Sequence, residues 1–226
     1  MTGPAIDYFS LNHPLRLVAS RVSHHVRRQI FHLFMDIMQP NSNDLILDVG
    51  VTPDQQLPES NFFEAMYPHT SRIVATSIEN AGFLTQKHPG LFFLQTETLC
   101  LPFHDHAFDI VFCSAVLEHV GDKAHQQAFV TELLRVSKQF FIVTPNRLFP
   151  VEFHTFLPLI HWLPQPAHQK LLKMMGLNFW AQTSNLNLVS SGSLAALFPS
   201  SGAVTVTCTR LLNWPSNLIA YGKSVF

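Results

Sequence analysis

Three acidic residues stand where short apolar runs end. Leu45-Ile46-Leu47 leads into Asp48-Val49-Gly50, Arg72-Ile73-Val74-Ala75-Thr76-Ser77-Ile78 into Glu79, and Leu91-Phe92-Phe93-Leu94-Gln95 into Thr96-Glu97-Thr98. Such runs read as buried strands of a parallel sheet, and ligands of these sheets bind beyond the carboxyl ends of the strands. Acids placed there suit a ligand with a cationic or hydroxyl-rich face. A fourth run, Phe108 to Ser114, leads to Leu117-Glu118-His119-Val120, and a fifth, Gln139 to Thr144, is closed by Pro145. His119 is a candidate general base, because imidazole titrates near neutral pH. His154 is a second candidate and Glu152 a third, both in the stretch that follows Pro145.

The elements that must position these groups are legible from periodicity. Leu15, Val18, Val22, Val26, Ile30, Leu33 and Ile37 recur at steps of three and four, which predicts a helix over 14–38 with one apolar stripe. Arg16, Arg21, Arg27 and Arg28 fall largely off that stripe and read as a solvated face. Further helices are expected over 59–67, 123–136, near 168–176 and over 191–198. The last two apolar runs, 204–209 and 217–221, are too close for a helical crossover and should pair antiparallel. This is an α/β chain. One domain is expected over 1–226: an N-terminal helical segment (1–40), a ligand-binding core (44–145), an insertion (146–190) and a terminal helix with a strand pair (191–226).

The series from Leu45 to Thr144 resembles the class I S-adenosylmethionine-dependent methyltransferases, most closely their type 11 small-molecule branch. Leu45-Ile46-Leu47-Asp48-Val49-Gly50 is similar to that family's first motif, and Phe108-Asp109-Ile110-Val111 with Leu117-Glu118-His119-Val120 to its "FDxV…LEHV" stretch. The resemblance implies a Rossmann-like methyltransferase fold: a seven-stranded, mostly parallel sheet with an antiparallel C-terminal strand and a helical, apolar lid insertion. It implies S-adenosyl-L-methionine as cofactor and S-adenosyl-L-homocysteine as product. Asp48, Val49, Gly50, Thr52, Glu79, Glu97, Thr98 and Ser114 are the implied cofactor-binding residues. Glu79 takes the place of the acid that binds the ribose hydroxyls, Glu97 the acidic position that reads the adenine amino group, and Ser114 flanks the methionine end. The family's first motif usually runs Asp-x-Gly-x-Gly-x-Gly. Here Thr52 and Asp54 stand at the second and third glycines, offering a hydroxyl to the cofactor's carboxylate and an acceptor to its amine.

The insertion starts at the cofactor edge, with Asn146, Arg147, Glu152, His154 and His161 as polar points in an apolar ribbon. It reads as a lid lining a pocket for a small or lipid-like methyl acceptor, and its apolar surface allows peripheral membrane contact. The alternative is an inactive methyltransferase fold serving as a binding or regulatory protein.

Composition excludes other classes. Apolar residues are 47% and charged ones 13% of 226, which rules out a disordered chain. A formal net charge of −1 argues against a nucleic-acid partner. Twenty phenylalanines suggest apolar surface awaiting a ligand or partner. None of His24-His25, His104-Asp105-His106 or His154 with His161 has a zinc spacing, so no metal is expected. Cys100, Cys113 and Cys208 form no CxxC, which points to buried thiols in a reducing compartment. Without a signal peptide or transmembrane run, a cytoplasmic location is expected.

Overall fold

The structure is a computed structural model and describes residues 16–57, 59–199 and 204–224. Leu15 of the expected helical stripe, and the side chains of Arg16 and Val18, lie outside the described residues.

The apolar runs become seven strands: β1 (Ile46–Val49), β2 (Ile73–Ser77), β3 (Phe92–Gln95), β4 (Phe108–Ser114), β5 (Ser137–Pro145), β6 (Val204–Leu211) and β7 (Trp214–Lys223). They form one sheet in the order β3-β2-β1-β4-β5-β7-β6. Pairing is parallel from β3 to β5, while β7 runs antiparallel to both its neighbours. Strand order reverses between β1 and β4, the switch point beyond which such sheets bind ligands.

Among the described residues, six helices accompany the sheet: α1 (Arg16–Met38), α2 (Phe62–Met66), α3 (Leu84–Lys87), α4 (Lys123–Val136), α5 (Gln165–Met174) and α6 (Ser191–Ala195). The side chain of Asp122 caps α4 by accepting from the His125 amide, and Ser190 with Ser193 forms a capping box on α6. Among the described residues, no helix is long and apolar enough to cross a membrane.

Two cores flank the sheet. One joins α1 and α2 to strand residues including Ile46, Ile110 and Phe141. The other packs α4 and α6 on the opposite face. The buried stripe of α1 is centred on Val26, Ile30, Phe34 and Met38, with Val22, Leu33 and Ile37 only partly buried at its margin. Phe34 is fully buried and meets Phe63, Phe112 and Phe141 edge-on, at ring-centroid distances of 5.1, 5.5 and 5.4 Å. Much of the phenylalanine content thus builds core, because aromatic rings pack best edge-to-face or offset. Of the three thiols, which form no disulfide, only Cys113 is fully buried; Cys100 is exposed, because it lies in the loop after β3 and outside the core.

The insertion is stitched to the core through its polar points. Asn146 donates from Nδ2 to the Pro215 carbonyl, Arg147 donates to the carbonyls of His161 and Leu163, and His161 Nε2 donates to the Phe149 carbonyl at 2.8 Å. Asn146 thus ties the insertion to β7, while Arg147 and His161 hold the insertion's own shape. From its far end, the Asn187 amide donates to the Glu118 carbonyl, and Gln126 of α4 donates to the carbonyls of Leu117 and Asn187.

Candidate active site

A cleft of about 390 Å³ opens beyond the carboxyl ends of β1, β2 and β4. Its size falls within the roughly 300–1,000 Å³ usual for small-molecule sites. The fold brings most of the expected residues to its wall: Asp48, Gly50, Thr52, Glu79, Glu97, Thr98, Ser114, His119 and His154. Two do not reach it. Val49 is 1% exposed and packs into the α4 core, since alternate residues of a strand face opposite ways. Glu152 is buried behind His154.

The turn after β1 is built by the chain's own groups. The amides of Gly50 and Val51 donate to the Thr76 carbonyl. The Thr52 amide donates to Asn61 Oδ1 at 2.8 Å, and Asn61 Nδ2 returns a bond to the Thr52 carbonyl. The Thr52 hydroxyl accepts from the Asp54 amide, and the Asp54 carboxylate accepts from the amides of Gln56 and Leu57 and the Ser60 hydroxyl. Asp54 thus closes its own loop while lining the cleft. Gly50 has φ +102°, and a Cβ there would lie 2.0 Å from Val116 Cγ2. The glycine admits a neighbouring side chain as well as an unusual backbone conformation.

Three wall residues were not singled out by sequence. Glu64 of α2 is 1% exposed and faces Asp48, and among the described residues no neighbour other than Asp48 bonds its carboxyl. Burial pushes the Asp48 carboxyl well above the ordinary range, and the nearby Glu64 charge adds to it. Burial also raises Glu64, while its hydrogen bond with Asp48 pulls the other way. The two buried carboxyls therefore resist being ionised together. Arg27, expected on a solvated face, instead leans into the cleft. Its guanidinium donates to the Glu59 carbonyl and stands 5.4 Å from the centroid of the Phe62 ring. Asn61, the third, clamps the Thr52 turn. Glu64 had one visible signal: it is an acid flanked by Phe63 and Ala65 in an apolar helix.

After β2 and β3, Glu79 is partly buried and Glu97 exposed. No hydrogen bond or ion pair to the described residues holds either carboxylate. After β4, His119 Nδ1 donates to the Asn185 carbonyl at 2.7 Å. His154 Nδ1 donates to Glu152 Oε1 at 2.5 Å, and Glu152 also accepts from the His154 amide and from the amide and hydroxyl of Thr155. Burial opposes ionisation of Glu152, yet the His154 charge and these hydrogen bonds bring it down to about 2. Burial, with His154 adding to it, lowers His119 to about 4. The two imidazole rings stand perpendicular with centroids 4.9 Å apart, and Trp180 packs on His154 at 4.9 Å. Of the insertion's five polar points, His154 alone lines the cleft.

Comparison with known proteins gives the same picture. A methyltransferase-domain family model matches residues 47–140. No curated protein matches the chain. Among solved structures, the magnesium protoporphyrin IX methyltransferase of Synechocystis PCC 6803 with bound SAH is similar at a TM-score of 0.58 and 15% identity, over 96% of this chain and 91% of that one. The N-methyltransferase NodS of Bradyrhizobium japonicum WM9, in complex with S-adenosyl-L-homocysteine, matches at 0.57 and 11%, over 95% and 93%. A SAM-dependent methyltransferase of Thermotoga maritima, described as a possible histamine N-methyltransferase, matches at 0.53 and 14%, over 92% of each chain. At such identities the likeness shows a shared fold, the Rossmann-like methyltransferase fold.

Proposed function

We propose, from the match of a methyltransferase-domain family model to residues 47–140, that this chain transfers a methyl group from S-adenosyl-L-methionine to a small or lipid-like acceptor. The observation that carries the reading is the convergence of Asp48, Glu79, Glu97 and His119, distant in sequence, on one cleft at the sheet's switch point. The cleft fits the cofactor on two counts. The Asp48–Glu64 pair is a buried acidic site in which no neighbour other than Asp48 bonds Glu64, which suits an ammonium group. The Glu79 and Glu97 carboxylates line the same cleft, ready to accept from ribose hydroxyls and an amino group. When bound, the cofactor supplies an activated methyl on a sulfonium, and S-adenosyl-L-homocysteine is the product.

The acceptor end is the wall formed by His119 and His154. Glu152 acts as a positioning residue, because its bond to Nδ1 of His154 fixes that ring's tautomer. The insertion carries exposed Leu148, Trp162, Leu163 and Met174, which favours an apolar or lipid-like acceptor and contact with a membrane surface. Three thiols free of disulfides are in keeping with a cytoplasmic place.

The test is calorimetric titration with S-adenosyl-L-methionine and S-adenosyl-L-homocysteine, followed by a methyl-acceptor screen. Micromolar binding that Glu79→Ala weakens, with turnover of at least one acceptor, is the expected result. A folded protein that binds neither ligand would overturn the reading.

A further inference from the structure

Glu118, His119 and His154 bring three side-chain donor atoms within 4.8 Å of one another. We propose that they bind a divalent first-row transition-metal cation through Glu118 Oε1 and the Nε2 atoms of both histidines.

The argument rests on how each group is held. A carbonyl only accepts, so the Asn185 carbonyl on His119 Nδ1 places that ring's proton on Nδ1 and turns Nε2 toward the cluster. Glu152 does the same for His154 at 2.5 Å. A histidine whose far nitrogen is bound to a carbonyl or carboxylate is the arrangement that orients metal-ligating imidazoles and raises their basicity. Glu118 is fully buried. Its Oε2 accepts from the Thr144 hydroxyl at 3.0 Å, while Oε1 is buried without a hydrogen-bond partner and stands 3.9 Å from His119 Nε2. Each of the three side chains is thus anchored through one polar atom, and one donor atom of each lies within 4.8 Å of the other two.

The elements behind them are fixed. Glu118 and His119 sit on the short helical turn Leu117–His119 after β4, and the Glu118 carbonyl accepts from the Asn187 amide of the insertion that carries His154. Tetrahedral ligands at about 2.05 Å lie roughly 3.3 Å apart, so closing on a cation requires side-chain movements of about an ångström. Two imidazoles and one carboxylate suit iron, manganese, cobalt or zinc better than magnesium or calcium, which favour oxygen alone. Entry of the cation releases protons to solvent, because the imidazoles must be neutral and Glu118 ionised.

Both histidines line the cleft, so the remaining coordination positions face it. They would take an acceptor bearing an ionisable oxygen. That last step rests on the methyltransferase reading; the cation site does not.

The test uses the full chain stripped with chelator, then titrated with Co²⁺ and Zn²⁺ by calorimetry and visible absorption. Stoichiometric binding at micromolar affinity or tighter is expected, with a cobalt spectrum reporting nitrogen ligation. His154→Ala should abolish it, Glu118→Gln should weaken it at least 10-fold, and Glu152→Gln should weaken it about 10- to 100-fold through the His154 orientation. Circular dichroism and thermal melts confirm that each variant folds, and His119→Ala gives an independent ligand deletion. No stoichiometric binding by the folded wild-type chain, or binding that survives both His154→Ala and Glu118→Gln, would overturn the site. Binding lost only in a His24→Ala/His25→Ala variant would overturn it as well. Binding of S-adenosyl-L-homocysteine is measured separately, so a failed metal site and a failed cofactor reading give different results.

Discussion

Asp48 and Glu64 set two carboxyl groups face to face beneath the turn after β1, one 6% and the other 1% exposed. They come from different elements, the end of a strand and the first turn of α2. The sheet and the aromatic core press them together. Because the pair resists double ionisation, the charge of this part of the cleft depends on pH.

Cofactor affinity should therefore rise with pH. A cationic ligand prefers the ionised pair, and burial makes the pair hold a proton above the pH at which free carboxyls lose theirs. Binding must release that proton, so Kd falls by up to about tenfold per pH unit until the pair is ionised. Titration of S-adenosyl-L-methionine from pH 6 to 8.5, in buffers of differing ionisation enthalpy, should show about one proton released. A flat profile would separate the pair from the ammonium site.

The same pair should lower the fold's stability as pH rises. Above about pH 4 the unfolded chain loses these protons, whereas the native pair keeps one because burial raises its values. The native state then binds more protons than the unfolded state, and stability falls as pH climbs toward the raised native values. Glu64→Gln removes one acid and gives Asp48 an amide donor. It should stabilise the protein by about 1–2 kcal/mol at pH 7 to 8, with the gain shrinking toward pH 4, as urea denaturation at each pH will show.

Glu79→Ala should weaken S-adenosyl-L-homocysteine binding more than Glu97→Ala. Glu79 is partly buried and Glu97 exposed, and hydrogen bonds to a charged group weaken as solvent reaches them. A loss of roughly 10- to 100-fold is expected at Glu79, from a charge-assisted bond of about 1.5–3 kcal/mol, and less than about tenfold at Glu97. Calorimetry on both variants at one pH decides the order.

The sheet was legible because its strands are apolar runs with turn residues after them, and burial on both faces writes that pattern directly into the sequence. Helix α3 was not foreseen: four residues, Leu84–Lys87, carry too little periodicity. Arg27 was misread for another reason. Counting positions on α1 placed it off the apolar stripe, but an arginine stem is long enough to lie on Phe62 and bring its charge to the Glu59 carbonyl. The acceptor end was half legible. His119 and His154 each stood out alone, yet ring nitrogens brought together from β4's loop and the insertion leave no spacing signal, so a search for metal motifs passed over them. The contact exists only because Asn185 and Asn187 fold the insertion back on Glu118 and His119.

Gly50 offers a test in which two physical causes separate. Its φ of +102° strains any L-residue, and a Cβ would meet Val116 Cγ2 at 2.0 Å and Val116 Cβ at 3.4 Å. Gly50→Ala should cost about 2–4 kcal/mol, adding backbone strain of roughly 1–2 kcal/mol to overpacking of about 1–3 kcal/mol. A smaller gain, about 0.4–1 kcal/mol from a stiffer unfolded chain, runs the other way. Val116→Ala deletes Cγ2 and leaves its Cβ in ordinary contact range. Placed on Gly50→Ala, it should recover the overpacking share and leave the backbone strain. A double-mutant cycle by urea denaturation should thus show a coupling of about 1–3 kcal/mol between the two sites. Strict additivity would mean that φ alone requires the glycine and that Val116 has room to move aside.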